Sequence, residues 1–235
     1  IIASEQVEAT NKESVLRSLG AAASAMRARL GESLASVQQL DVPLDQPTTK
    51  SLEALKAFGM AQRTRAKDGQ AASAPMYEQA TKLDPDFGMA WARLANIFAN
   101  LGRVPAARAA AERAYALRDR VSQVEHWYAV ATYQQTALFD TRASVDTYRL
   151  WQRTYPRDYV PANNLAVSLS LLGQYEEAVT FAREAVKHNT GRQGSPPANL
   201  VGILSRLGRD EEALTAFNDA LAQGIQTARG PAIRI

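Results

Sequence analysis

Cysteine is absent from the 235 residues. Disulfides, thiolate nucleophiles and thiolate metal sites are therefore excluded, and the compartment is left open. Histidine occurs only twice, as His126 and His188, and neither has an H-x-x-x-H or acidic partner at metal-ligand spacing. No metal and no cofactor is expected. No stretch approaches the roughly 18 to 20 uninterrupted apolar residues that span a bilayer, so no membrane contact is expected within the chain. The net charge is only +3, although the pI is ≈ 9.2; a nucleic-acid surface calls for a larger excess and interleaved aromatics. The opening Ile1-Ile2-Ala3-Ser4 has neither an initiating Met nor a charged leader or signal-peptide core. The chain is read as a piece of a longer protein, with no localisation assigned.

What is present is a repeated helical pattern rich in alanine. Within Tyr159–Thr190, Ala162, Leu165, Ala166 and Leu169 fall at i, i+3, i+4 and i+7, one apolar face of a helix. Gly173 breaks that pattern, because a residue without Cβ can close a helix in a left-handed conformation. A second amphipathic run follows, with Ala178, Ala182 and Ala185 on the face that must approach the first helix. The unit is a helix-turn-helix hairpin of about 34 residues.

Four further windows copy it. The first has Ala57, Met60, Ala61 and Thr64, then Tyr77, Ala80 and a closing Leu83-Asp84-Pro85, with an irregular turn at Asp68-Gly69. The second has Trp91, Leu94, Ala95, Phe98, Gly102, Ala107, Ala111 and Ala114, with Asp119 in place of the closing proline. The third, from Glu125, offers Tyr128, Ala131, Thr132, Tyr148, Trp151 and Pro156. Its turn at Leu138-Phe139-Asp140 lacks glycine, and Asp140 is placed to cap the helix that follows. The last has Pro197, Leu200, Val201, Leu204, Gly208, Ala213, Phe217, Ala220 and Gly224. One hairpin cannot bury both faces, whereas stacked hairpins share a core. Burying Trp91, Phe98, Leu165 or Leu200 should contribute roughly 1.5–3 kcal/mol each.

Upstream, Thr10-Asn11-Lys12-Glu13 has the spacing of a capping box. It predicts a helix through Val15, Leu16, Leu19, Ala22, Ala23, Met26 and Leu30, interrupted at Gly31 and followed by a short helix over 32–39. Asp41 to Pro47 reads as a linker, since two nearby prolines remove backbone donors and restrict their predecessors. The expected organisation is an N-terminal helical segment and linker over 1–47, then repeats over 48–224. These lie near 54–86, 88–119, 125–156, 159–190 and 194–224, and 225–235 forms a tail.

Over about 50–223 the chain resembles the tetratricopeptide repeat (TPR) family, since spacing and residue type recur together in five windows. The resemblance implies an all-α fold, an α-α superhelix or solenoid of about five repeats. Pro197 stands where the family usually has a large aromatic, which predicts a late start for that helix. A narrower resemblance rests on Arg29 to Val37, Ser51 to Ala57 and Thr154 to Leu165. These segments are similar to the C-terminal TPR regions of bacterial signalling proteins that carry a serine/threonine kinase or winged-helix domain.

Several motifs invite chemistry and decline it. Asp86-Phe87-Gly88 spells the D-F-G of kinases, but no Gly-rich loop, strand lysine or H-R-D accompanies it, and it falls between two repeats. Gly191-Arg192-Gln193-Gly194 lacks the lysine of a phosphate-binding loop. Glu176-Glu177 and Glu211-Glu212 recur at one point of two repeats, as charges at helix N-termini would and an acid/base dyad would not. Arg103, Arg108, Arg113, Arg118 and Arg120 are spread around a helix, the pattern of a solvated surface.

In the TPR family the first helices line a concave groove, and its positions map here onto Arg93, Asn96 and Asn100, then His126, Tyr133 and Thr136. In the last two repeats they map onto Asn163, Asn164 and Ser170, and onto Asn199, Ser205 and Arg206. Asn and Arg suit peptide-backbone and carboxylate contacts. The K-x-x-x-N carboxylate clamp of one TPR subgroup is not expected, because Ala92 stands in the lysine position before Asn96. The resemblance implies a non-enzymatic scaffold for a protein or peptide. Its rivals are a self-assembly module that forms homo-oligomers and a non-catalytic fragment of a kinase whose activity lies upstream.

Overall fold

The computed structural model describes residues 6–8, 14–29, 49–190 and 194–225. These contain eleven α-helices and no strand. The capping box at 10–13, Gly31, the short helix at 32–39, the linker at 41–47, Gly191 to Gln193 and the tail beyond 225 lie outside the described residues. Helix α1 (Val15–Arg29) occupies the predicted N-terminal stretch, and the Ser18 hydroxyl donates to the Glu8 carbonyl at 2.9 Å. The chain divides into two compact units, Ile1–Ala129 and Val130–Ile235.

In the first unit, α2 (Leu52–Asp68) packs against α3 (Gln70–Leu83), and α4 (Gly88–Asn100) packs against α5 (Val104–Ala116). Ser51 caps α2 by accepting from the Ala54 amide at 3.1 Å. The irregular turn at Asp68-Gly69 is a single residue: Gly69 at φ 89°, ψ −177°, a region open in practice to glycine alone. The α4–α5 turn instead places Gly102 at φ 73°, so that the Arg103 amide reaches back to the Phe98 carbonyl at 2.8 Å. Tyr77, Leu94 and Phe98 fill the core with the small faces of Ala61 and Ala107. Phe58 lies edge-on to Tyr77 at 5.4 Å and 4.9 Å from Phe87. Burial pushes the Tyr77 hydroxyl above its ordinary pKa, and that hydroxyl donates to Gln62 Oε1 at 2.9 Å. Trp91 differs from expectation: it is only partly buried, because its indole N–H turns out to the Pro85 carbonyl at 2.9 Å.

A short 3₁₀ turn (Arg118–Arg120) leads to α6 (Gln123–Thr136), which carries the boundary between units. This helix starts two residues earlier than the sequence pattern placed it. The reason is a reciprocal capping box: Ser122 Oγ and N both donate to Glu125 Oε2, at 2.9 and 3.1 Å, and Ser122 Oγ accepts from the Glu125 amide at 3.4 Å.

In the second unit, α7 (Thr141–Thr154), α8 (Tyr159–Leu171), α9 (Tyr175–Lys187), α10 (Ser195–Arg206) and α11 (Asp210–Ala222) follow in order, each against the next. Asp140 caps α7 as expected, accepting from the Ala143 amide at 2.9 Å. With no glycine in that turn, Phe139 itself takes the left-handed conformation, φ 57°, with 63% of its surface exposed. The left-handed form costs a residue with Cβ roughly 1–2 kcal/mol. Phe139→Gly should therefore raise stability by about 1 kcal/mol, read as a higher denaturation midpoint with an unchanged slope. Pro197 does not delay its helix. Helix α10 begins at Ser195, and Pro196 and Pro197 sit in the first turn, where helix N–H groups have no intrahelical partner to lose. Trp151, Tyr148, Leu165, Leu169 and Val179 form the interior of this unit.

The recurring acidic pairs sit at helix N-termini, and they also tie second helices together. Arg149 of α7 meets Glu177 of α9 at 2.8 Å, and Arg183 of α9 meets Glu212 of α11 at 2.5 Å. Arg209 bridges Glu212 at 2.6 Å and Glu176 at 3.1 Å. The hydrogen bond from Arg209 and the nearby charges of Arg209 and Arg183 hold the Glu212 carboxyl below its ordinary range.

Candidate functional site

Helix geometry sets Arg93, Asn96 and Asn100 one turn apart along α4, and Asn199 and Arg206 two turns apart along α10. The structure uses them differently in the two units.

In the first unit, Arg93 and Asn96 point at one buried ring. Arg93 Nη1 donates to the Tyr128 oxygen at 3.0 Å, and its guanidinium lies 4.5 Å from the centre of that ring. Asn96 Nδ2 donates to the same oxygen at 2.9 Å and to the Ala92 carbonyl at 3.2 Å. Tyr128 is only 3% exposed, so these two side chains satisfy a core hydroxyl. Asn100, exposed at the end of α4, donates to Gln70 Oε1 at 3.0 Å. His126 Nδ1 lies 3.0 Å from the Arg118 carbonyl and 3.5 Å from Asp119.

The basic run has acidic or aromatic company throughout. Arg113 and Arg120 converge on Asp86 at 2.9 and 3.2 Å, Arg118 meets Asp119 at 3.2 Å, and Arg108 meets Glu112 at 3.9 Å. Arg103 lies over Phe98 at 5.6 Å. The Asp86-Phe87-Gly88 triplet is a structural joint. Asp86 holds the two arginines, Phe87 is fully buried, and a Cβ at Gly88 would stand 3.2 Å from Val121 Cγ1.

In the second unit, Asn163 Nδ2 donates to Asn164 Oδ1 at 3.2 Å, and Asn163 Oδ1 accepts from Asn199 Nδ2 at 2.9 Å. This amide chain runs from α8 to α10, and all three side chains are half-buried. Residues 162–187, which contain most of α8 and all of α9, match the sequence model of the family described as tetratricopeptide repeat. The chain carries a tetratricopeptide repeat (TPR) over these residues.

Its fold is of the all-α, TPR-solenoid class. Among solved structures, a thermophilic TPR protein of Thermus thermophilus is similar at TM-score 0.50 and 18% identity, over 72% of this chain and 91% of that one. MamA, from its residue 41 to its end, of Desulfovibrio magneticus gives TM-score 0.41 at 13% identity, covering 74% and 96%. YrrB, a TPR protein with an unusual peptide-binding site, gives 0.40 at 15%, covering 72% and 85%. No curated protein sequence matches the chain.

The TPR register sorts the remaining first-helix positions. Tyr133 and Ser205 are half-buried, Thr136 and Ser170 are largely buried, and Arg206 is exposed at the end of α10. Asn164 and Asn199 occupy the same place in consecutive TPR hairpins, counted from Gly173 and Gly208. Among the described residues, no group of three or more His, Asp or Glu is placed to hold a metal, and no helix is long and apolar enough to cross a membrane.

Proposed function

We propose that this chain is a non-catalytic scaffold that binds a peptide or protein segment on the first-helix face of its second unit. Asn163, Asn164, Asn199 and Arg206 form the site. The single observation that carries the reading is the amide chain from α8 to α10. Within it Asn163 spends a donor on Asn164 and its oxygen on Asn199. The Asn164 N–H₂ and the Asn199 oxygen then present one donor group and one acceptor, the pair that a peptide unit requires. Arg206, two helical turns further along α10, adds a cation suited to a carboxylate. The resemblance of the Thr154 to Leu165 segment to bacterial signalling proteins supports a regulatory role beside a kinase or winged-helix domain. In the first unit Arg93 and Asn96 serve Tyr128 and are left out of the site.

The test is selection of displayed random peptides on the intact chain, followed by titration. Asn164→Ala with Asn199→Ala should weaken capture of a selected peptide at least tenfold, about 1.4 kcal/mol, while the chain stays folded and loses only the two amide hydrogen bonds, about 0.5–1.5 kcal/mol each. Selected peptides that bind the double variant as tightly as the parent would overturn the site.

A further inference from the structure

The joint between α2 and α3 carries the chain's single Asp-Gly sequence, Asp68-Gly69. Asp68 is the last residue of α2 and is exposed, and among the described residues its carboxylate has no hydrogen bond or ion pair. The amide that follows is equally unengaged. The amides of Asp84, Leu101 and Leu172, which follow their own helices, donate back to a carbonyl of the last turn, whereas the Gly69 amide closes no such bond. There is room around it too: a Cβ placed on Gly69 would meet nothing within 4 Å. The other described aspartates are placed differently. Asp84, Asp86, Asp119, Asp140 and Asp158 are held by partners, and the remaining three precede helical residues that carry a Cβ.

We propose that Asp68-Gly69 is a modification site at which the folded protein converts Asp68 to isoaspartate without an enzyme. The Gly69 nitrogen attacks Cγ of the protonated Asp68 carboxyl, and the new C–N bond closes a five-membered succinimide. One carboxyl oxygen leaves as water, taking the amide proton with it. Water then adds to either ring carbonyl. Opening at the α-carbonyl routes the main chain through Cγ, as isoaspartate, and opening at the other restores aspartate. The water lost is regained, so no oxidant, reductant or co-reactant is required. The joint removes the obstacles that a helix interior sets against this step. Ring closure needs Asp68 to rotate about ψ, and the amide that swings with it closes no helical bond. The attacking nitrogen belongs to a residue with no side chain to block the approach, and no cation holds the carboxylate away from it. Isoaspartate adds one methylene to a connection that is one residue long. It also leaves a free α-carboxylate two residues before Gln70, whose Oε1 accepts from Asn100 at 3.0 Å.

Incubation of the whole 235-residue chain in oxygen-18 water at neutral pH, followed by peptide mapping with electron-based fragmentation, tests this. Each ring opening places one heavy oxygen in residue 68, and isoaspartate is told from aspartate because it breaks at a different main-chain bond. The expected result is label and isoaspartate at Asp68 at least tenfold faster than at any other described aspartate. The folded chain should react at no less than a tenth of the rate of the same chain unfolded in guanidinium chloride. Asp68→Glu, whose ring would be one atom larger, should cut labelling at this position at least tenfold with circular dichroism unchanged. A folded chain that labels at less than a tenth of the unfolded rate overturns the proposal, because the helix end then protects the bond. So does label at this position that survives Asp68→Glu.

Discussion

Trp151→Ala is expected to destabilise the protein by about 3–5 kcal/mol, the range for deleting a large aromatic from a packed interior. Trp151 is 1% exposed, near the end of α7, and its ring centre lies 6.4 Å from that of Tyr148. Both rings fill the register that alanines occupy in α9, Ala182 and Ala185. A small residue is tolerated where helices approach closely, whereas here the backbone has been set for a large one. The surroundings cannot collapse onto the hole without moving α8, which packs against α7. Two observables distinguish this from a local loss. The urea midpoint should fall, and hydrogen exchange across α7 and α8 should accelerate together. A midpoint within the scatter of the parent protein would show that this register carries little of the stability.

Phe87→Ala should cost a similar amount, about 3–5 kcal/mol, and it also decides how the Asp86-Phe87-Gly88 triplet is used. Phe87 is fully buried against Phe58, at the joint between α3 and α4, and so holds two consecutive hairpins at once. Its neighbour Asp86 is about half exposed and pairs with Arg113 and Arg120. Exposed pairs of this kind contribute about 0–1 kcal/mol, so Asp86→Asn should change stability little. A joint therefore predicts a large loss at Phe87 and a small one at Asp86. The opposite order would mean that the ion pairs set the angle between the hairpins and that the ring is incidental.

The sequence revealed the parts of the fold that depend on nearby residues. Gly102, Gly173 and Gly208 punctuate their hairpins because a left-handed residue is needed within a few positions of each apolar run. Asp140 could be read as a cap because its target amide is three residues on. Ser122 with Glu125 carries the same kind of local signal, an S-x-x-E spacing, and it fixes the start of α6 ahead of the apolar pattern. Pro197 misled because a family habit, an aromatic at that position, outweighed the simpler rule that proline fits the first turn of a helix. The groove positions were harder for a different reason. Arg93 and Asn96 look free in sequence, and the hydroxyl that engages them belongs to Tyr128, a whole hairpin later. Spacing within one helix cannot reveal a partner supplied by the next. The asparagines of α8 and α10 were recognisable as a set because they recur in register, yet the bond between Asn163 and Asn199 needed coordinates.

The arginine–glutamate ties between second helices have a consequence for how such a chain can change length. Arg149 finds Glu177, and Arg183 finds Glu212, at nearly the same separation along the chain, 28 and 29 positions. Helix α9 thus supplies a cation to its successor and an acid to its predecessor, like a link with a hook at one end and an eye at the other. Splicing in a duplicate of such a segment would leave no hook without an eye. Growth by whole modules is therefore built into the placement of surface charge, whereas an insertion of any other size would put every later link out of step.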